Sequence, residues 1–144
     1  MEDLHQLSTS EAARLHHAAR MVALVMALSV WARRRANSFG YAFKGLSRLY
    51  RETNARIHAL ATLLVVAIGV TLHLAPLEWT LLALAATVVW VAEALNTALE
   101  ALSDAAVPQY SPLIATAKDV AAGAVLLAAF GAAAVGVLVF LPHL

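Results

Sequence analysis

From Val120 to Pro142 the chain runs for twenty-three residues without one polar side chain. A helix of that length, at about 1.5 Å per residue, crosses a hydrocarbon layer of about 30 Å. Backbone in lipid must satisfy its own N–H and C=O groups, so a lone apolar run of this kind is a helix or it does not span. Two further runs precede it. "IHALATLLVVAIGVTLHL", Ile57 to Leu74, ends just before Pro76, and another extends from Leu77 to about Leu102. Composition agrees: 62% of residues are hydrophobic and 13% charged, where a soluble domain has about 45–50% and about 25%. The expected fold is an all-α membrane protein with spans at about 57–74, 77–102 and 120–142. Gly123, Gly131 and many alanines permit close helix packing. With no cysteine, disulfides and thiolate metal sites are excluded.

The N-terminal third is different. "LSTSEAARLHHAAR" reads as a short helix capped by Ser8 or Ser10, with Glu11 in its first turn. "MVALVMALSVW", Met21 to Trp31, is too short to cross the core, and three arginines follow it rather than a cleavage site. "SFGYAFKGLSRLYRE" mixes aromatic and basic residues, as a helix lying among lipid headgroups does. The expectation is an N-terminal interfacial amphipathic helix, with residues 1–33 as an extension and 34–144 as the membrane domain.

Net charge is +1, but nine of the ten Lys and Arg residues precede Ile57. A basic segment of this kind also suits nucleic acid. Beside membrane spans it points instead to anionic lipid and to the cytoplasmic side, and no nucleic-acid partner is expected. The "APLE" turn between the first two spans holds no Lys or Arg, and Lys118 lies in the next loop. The N-terminus and the 103–119 loop are therefore expected in the cytoplasm, with "APLE" and the C-terminal "PHL" outside.

Against this background the stretch "VAEALNTALEALSD" stands out. Glu93, Asn96, Glu100 and Asp104 are spaced +3, +4 and +4. At about 100° per residue they fall within about 80° of one helix face, with Thr97 beside them. Ionisable groups in a span are expensive and turn towards the bundle interior or a wet cavity. Asp104 alone can mark a helix end, and Asn96 alone can bond another helix. Two glutamates on one stripe repel unless a cation or proton lies between them. Magnesium suits such a place, because it takes one or two carboxylates together with substrate phosphates. Glu52, one turn ahead of the first span, can join the cluster. Lys118 and Asp119 precede the third span, where a flanking lysine is ordinary but a polyphosphate contact is also open. Glu78 falls at the opposite end. His58 and His73 bracket the first span and are expected as interfacial residues rather than metal ligands. None of the common soluble nucleotide-binding or hydrolase motifs occurs in the sequence. A small transporter would place acids near the middle of several spans, and an adaptor would leave the acidic stripe without a role.

The string Glu93–Asp104 followed by "AKDVAAGAVLL", with "SFGYAFKGL" and "RETNARIH" upstream, resembles the bacterial integral-membrane diacylglycerol kinase and undecaprenol kinase family. The likeness covers about Arg34 to the C-terminus. It implies a homotrimer of three-span subunits in the bacterial inner membrane, with an active site at the cytoplasmic face. It also implies transfer of the γ-phosphate of ATP, with Mg2+, to a lipid alcohol. Carried over residue by residue, the resemblance implies that Glu93 is the catalytic base and Asn96 orients the site, while Glu52 and Glu100 hold the metal with the phosphates. Tyr41, Lys118 and Asp119 fall at nucleotide contacts. Gln109, Tyr110 and Ser111 stand where the family has a nucleotide-contacting Glu-Tyr-His, a departure at two of the three positions. Arg34 and the "GYAFKG" segment with Lys44 fall where the lipid is contacted. "RETNARIH" and "AKDVAAGAVLL" look more like the Gram-positive branch, which places undecaprenol ahead of diacylglycerol as the substrate.

Overall fold

The computed structural model describes the backbone of residues 2–144 and the side chains of residues 20–144. Four α-helices follow one another: α1 Glu2–Leu49, α2 Thr53–Thr71, α3 Pro76–Ala106 and α4 Pro112–Phe140, closed by a 3₁₀ turn at Leu141–His143. Two compact units result, Met1–Leu46 and Ser47–Leu144. Among the described residues three helices are long and apolar enough to cross a membrane: Thr53–Thr71, Pro76–Ala106 and the segment Pro112–His143.

In the first unit, α1 is uninterrupted. It passes straight through Ser8 and Ser10, so neither begins a helix as the sequence suggests. Apolar side chains from Met21 to Trp31 are exposed along it. Arg35 lies over the Trp31 ring and Lys44 over the Tyr41 ring, each 5.8 Å from the ring centre.

In the second unit, α2, α3 and α4 run up, down and up. Their ends differ from the hydropathy reading in a consistent way. α2 starts at Thr53 rather than 57 and stops at Thr71 rather than 74. α4 begins at Pro112, eight residues before the first residue of the charge-free run. The reason is local: Pro suits the first helical position because its missing N–H has no partner there anyway, and Ser111 is the extended residue before it. Residues 112–119 are thus helix, and the loop shrinks to Val107–Ser111. α3, at 31 residues, is about 46 Å long, some ten residues more than the hydrocarbon needs.

The α2–α3 turn is a Schellman motif. Leu74 N–H bonds Gly69 O and His73 N–H bonds Val70 O, each at 3.3 Å, which places His73 at the C′ position in left-handed backbone, φ 54°. Leu74 then packs back on Gly69, with Trp79 beside it. Leu74, Leu82 and Val139 form an apolar core at this end, with Val65, Trp79 and Phe140 around it. Glu78 also works here. One carboxylate oxygen accepts the Ala75 N–H at 2.7 Å, and the other lies 2.9 Å from His143 Nε2. This binds the chain's last turn to the start of α3. Most remaining apolar side chains face outward; Leu127 and Leu138 are each more than 70% exposed, as a lipid-facing or subunit-facing surface requires.

Candidate functional site

The opposite end of the same three helices is polar inside. Three polar side chains are buried in the second unit, and all lie on α3: Glu93, Asn96 and Ser103. Glu93 is only 1% exposed and Asn96 6%. The +3 spacing sets both on the face that meets α2 and α4. Neither is satisfied: Glu93 Oε2 and Asn96 Oδ1 have no hydrogen-bond partner. Buried polar atoms are nearly always paired, so two orphans in one place mark a position that expects a donor.

Both side chains line a cavity of about 240 Å³ between the three helices. His58 and Asn54 on α2 face the same space, and Val125 and Ala129 close it from α4. His58 is therefore more than the interfacial flank the sequence suggests. Being four residues from Asn54, it sits on the same side of α2. Glu100 lies two turns further along α3, and Glu52 sits at the N-cap position of α2.

Towards the polar end the groups become accessible. Glu100 is partly exposed. Glu52 is exposed at the N-cap position of α2, yet its side chain makes no cap bond, which leaves the carboxylate uncommitted. Asp104 accepts from Lys118 Nζ at 3.0 Å, across the short loop. The last acidic residue of the stripe thus meets a lysine in the second turn of α4, a role the helix-end reading of Asp104 does not contain. Asp119, Gln109 and Tyr110 are exposed, Ser111 partly so. Tyr41, Arg34 and Lys44 lie on α1 in the first unit.

Among the described residues no three acid or histidine side chains form a set that holds a metal ion unaided. Glu52 and Glu100 are hard oxygen donors with solvent access, the donor type magnesium takes when phosphates and water complete its shell.

A cross-helix bond fixes α2 on α3 beside this cavity. Trp90 Nε1–H donates to Thr62 Oγ1 at 3.2 Å, and Thr62 in turn donates to His58 O at 2.7 Å. Tyr50 tilts against Trp90, ring centres 5.5 Å apart. The backbone carrying His58 is thereby tied to α3.

Sequence comparison with known proteins points to one group. The family model described as Prokaryotic diacylglycerol kinase matches residues 40–140. A diacylglycerol kinase of Synechocystis sp. is 44% identical over 109 residues, 74% of this chain and 62% of that protein. The chain thus spans somewhat under two thirds of that relative. An undecaprenol kinase of Bacillus subtilis is 37% identical over 108 residues, covering 74% of this chain and 88% of that protein. A diacylglycerol kinase of Escherichia coli K12 is 36% identical over 90 residues, 62% of this chain and 74% of that protein. The buried stripe of α3 falls within the matched segment, and the chain belongs to the prokaryotic diacylglycerol kinase family.

Proposed function

We propose that this protein is a membrane lipid kinase that transfers the γ-phosphate of ATP to the hydroxyl of a lipid alcohol, with undecaprenol as the substrate. The observation that carries the reading is the pair of orphaned acceptors, Glu93 Oε2 and Asn96 Oδ1. They lie inside a membrane bundle, a turn or two below accessible carboxylates. A hydroxyl arriving from the lipid meets a buried acceptor there, while nucleotide arrives from water at the acidic rim.

Glu93 accepts the hydroxyl proton as that oxygen attacks the γ-phosphorus, and the bond to the ADP oxygen breaks. Asn96, one turn away, holds the oxygen in line. Phosphoryl transfer of this kind depends mainly on positioning and on neutralising phosphate charge. Glu52 and Glu100 would hold magnesium, which would supply charge to offset that of the phosphates. Lys118, placed by its 3.0 Å contact with Asp104, adds a further positive charge. Asp119, Tyr110 and the flanking Gln109 and Ser111 border the nucleotide. Tyr41 contacts its adenosine, and Arg34 and Lys44 the lipid headgroup region. The active enzyme is a homotrimer in the bacterial inner membrane. Its polar end and N-terminus face the cytoplasm, with α1 along the interface.

The similarity to a Synechocystis protein called diacylglycerol kinase supports a second reading, in which diacylglycerol is the acceptor. Purified protein in lipid vesicles with magnesium and γ-labelled ATP decides between them. The proposal expects label in undecaprenol well above that in diacylglycerol. Preferential labelling of diacylglycerol selects the second reading, and no labelled lipid alcohol removes both.

A further inference from the structure

Three turns of α1 have no polar face. At about 100° per residue the stretch Met21–Trp31 points to every side of the helix, and only Ser29 in it is polar. Its large apolar side chains are each at least half exposed, from 50% at Met21 to 62% at Met26. Ser29 donates its hydroxyl to Met26 O at 2.8 Å, so it offers no free donor to its surroundings. A helix apolar all round is buried in protein or in lipid, and an apolar surface of this extent marks an interaction site. The stretch precedes residue 40, where the family match begins, so the family's shared fold does not account for it. It also departs from the interfacial amphipathic helix that the sequence suggests, since a helix at headgroup level keeps one polar face towards water.

Charge decides what covers it. From Ala12 to Arg51 the chain holds no acid, while Arg20 bounds the apolar stretch on one side and Arg33, Arg34 and Arg35 bound it on the other. A second copy of the stretch would bring the same cations and no counter-charge. An anionic leaflet supplies both hydrocarbon and phosphate. At about 1.5 Å per residue the stretch is about 16 Å long, too short to cross about 30 Å. It fits within one leaflet, with the flanking arginines reaching the headgroups on their apolar stems. Arg35 lies over the Trp31 ring at 5.8 Å, and tryptophan favours the membrane–water boundary. Met26, Val30 and Arg34 follow at four-residue steps along one side and line, with Trp31, a groove of about 390 Å³. Its floor is apolar and its end is a guanidinium, the complement of an acyl chain with an anionic head.

We propose that Met21–Trp31 is a further membrane anchor, sunk in one leaflet below the headgroups, and that Arg20 and Arg33–Arg35 hold anionic phospholipid over it. The anchor goes beyond the lipid kinase reading and does not rest on it.

The chain has no cysteine, so a single introduced cysteine carries a spin label without other changes. Val22→Cys and Leu24→Cys lie about 160° apart around α1. They are labelled in the full-length protein, in vesicles of equal parts phosphatidylcholine and phosphatidylglycerol. Both labels are expected to meet dissolved oxygen freely. Both are expected to meet a water-soluble nickel chelate at least fivefold less than a label at Gln109→Cys, in the exposed α3–α4 loop. Free access of the chelate to either label means an interfacial helix with a wet face and overturns the proposal. Labels shielded from both reagents, with spectra broadened between copies, mean that a second copy covers the stretch and overturn it as well. Headgroup preference is read by cross-linking. Phosphatidylglycerol with a diazirine in its acyl chain is expected to label peptides holding Met26 and Val30 at least fivefold more than the matching phosphatidylcholine. Arg33→Gln with Arg35→Gln is expected to bring the two within about twofold. Equal labelling by both lipids in the unaltered protein overturns the anionic-lipid assignment. Both readouts are taken without ATP, so they hold whether or not the protein turns over a lipid alcohol.

Discussion

On α3, Glu93 Oε2 and Asn96 Oδ1 stand one helical turn apart, both inside the bundle and both without a hydrogen-bond donor. An unmade bond of this kind costs about 1–3 kcal/mol, and a charge kept without a partner costs more. Such a pair is explained if binding supplies the donor. Replacing Glu93 by Leu, of similar volume, removes the buried carboxylate. Glu93→Leu is therefore expected to raise unfolding stability in detergent by about 1–3 kcal/mol while abolishing turnover. A destabilised but active Glu93→Leu protein would contradict this account.

Lys118 and Asp104 are joined at 3.0 Å, but their side chains are 34% and 72% exposed. An exposed pair adds little to folding, so its value lies in where it holds the lysine. Asp104→Ala is expected to leave the melting temperature unchanged within error. Lys118→Ala is expected to raise KM for ATP about tenfold, with KM for lipid unchanged, because a charge-assisted phosphate contact is lost. Steady-state kinetics with each substrate varied in turn check the split.

Gly69 is required by Trp79. A Cβ added at residue 69 would sit 2.8 Å from Trp79 Cη2 and 3.0 Å from Leu74 Cδ1. The indole ring is rigid and packed in the apolar core, so it cannot swing aside cheaply. Gly69→Ala is expected to lose about 1–3 kcal/mol. Adding Trp79→Phe, which removes the obstructing atom, restores part of that loss. Detergent unfolding of the two single variants and the double variant measures the coupling.

His73 takes the left-handed position that ends α2, φ 54°. Glycine favours this conformation, whereas a β-branched residue resists it by about 1–2 kcal/mol. His73→Gly is expected to be as stable as the natural protein or slightly more so, and His73→Val less stable. Thermal unfolding of the pair decides the sign. Equal losses in both would mean that the imidazole, rather than the backbone, matters at this turn.

Much of this was legible in the residue pattern, and the gaps have physical causes. The stripe Glu93, Asn96, Glu100 follows from helical spacing, and the structure adds its depth gradient, from buried Glu93 to exposed Asp104. Spacing within one helix cannot reveal what a second helix contributes, and Asn54 and His58 enter the site only through the packing of α2 beside α3. For the same reason Asp104 looked like a helix end, because its partner Lys118 comes from the next helix. Hydropathy marked the apolar centre of α4 and missed its first two turns, since "PLIATAKD" is helical without being uniformly apolar. Pro112 was the available signal. α1 read as separate pieces because its composition changes along its length, although its backbone does not break.

The central claim is that Glu93 takes the proton from the lipid hydroxyl, and Glu93→Gln tests it most directly. The amide keeps the shape of the side chain but cannot act as the base. With protein in vesicles, undecaprenol, magnesium and γ-labelled ATP, phosphorylated lipid is expected to fall at least a hundredfold in Glu93→Gln, in the range seen when a positioned base is lost. Nucleotide binding, measured on the same vesicles, is expected to stay within about twofold of the unaltered protein. Near-normal turnover in Glu93→Gln with ATP still bound would contradict the account.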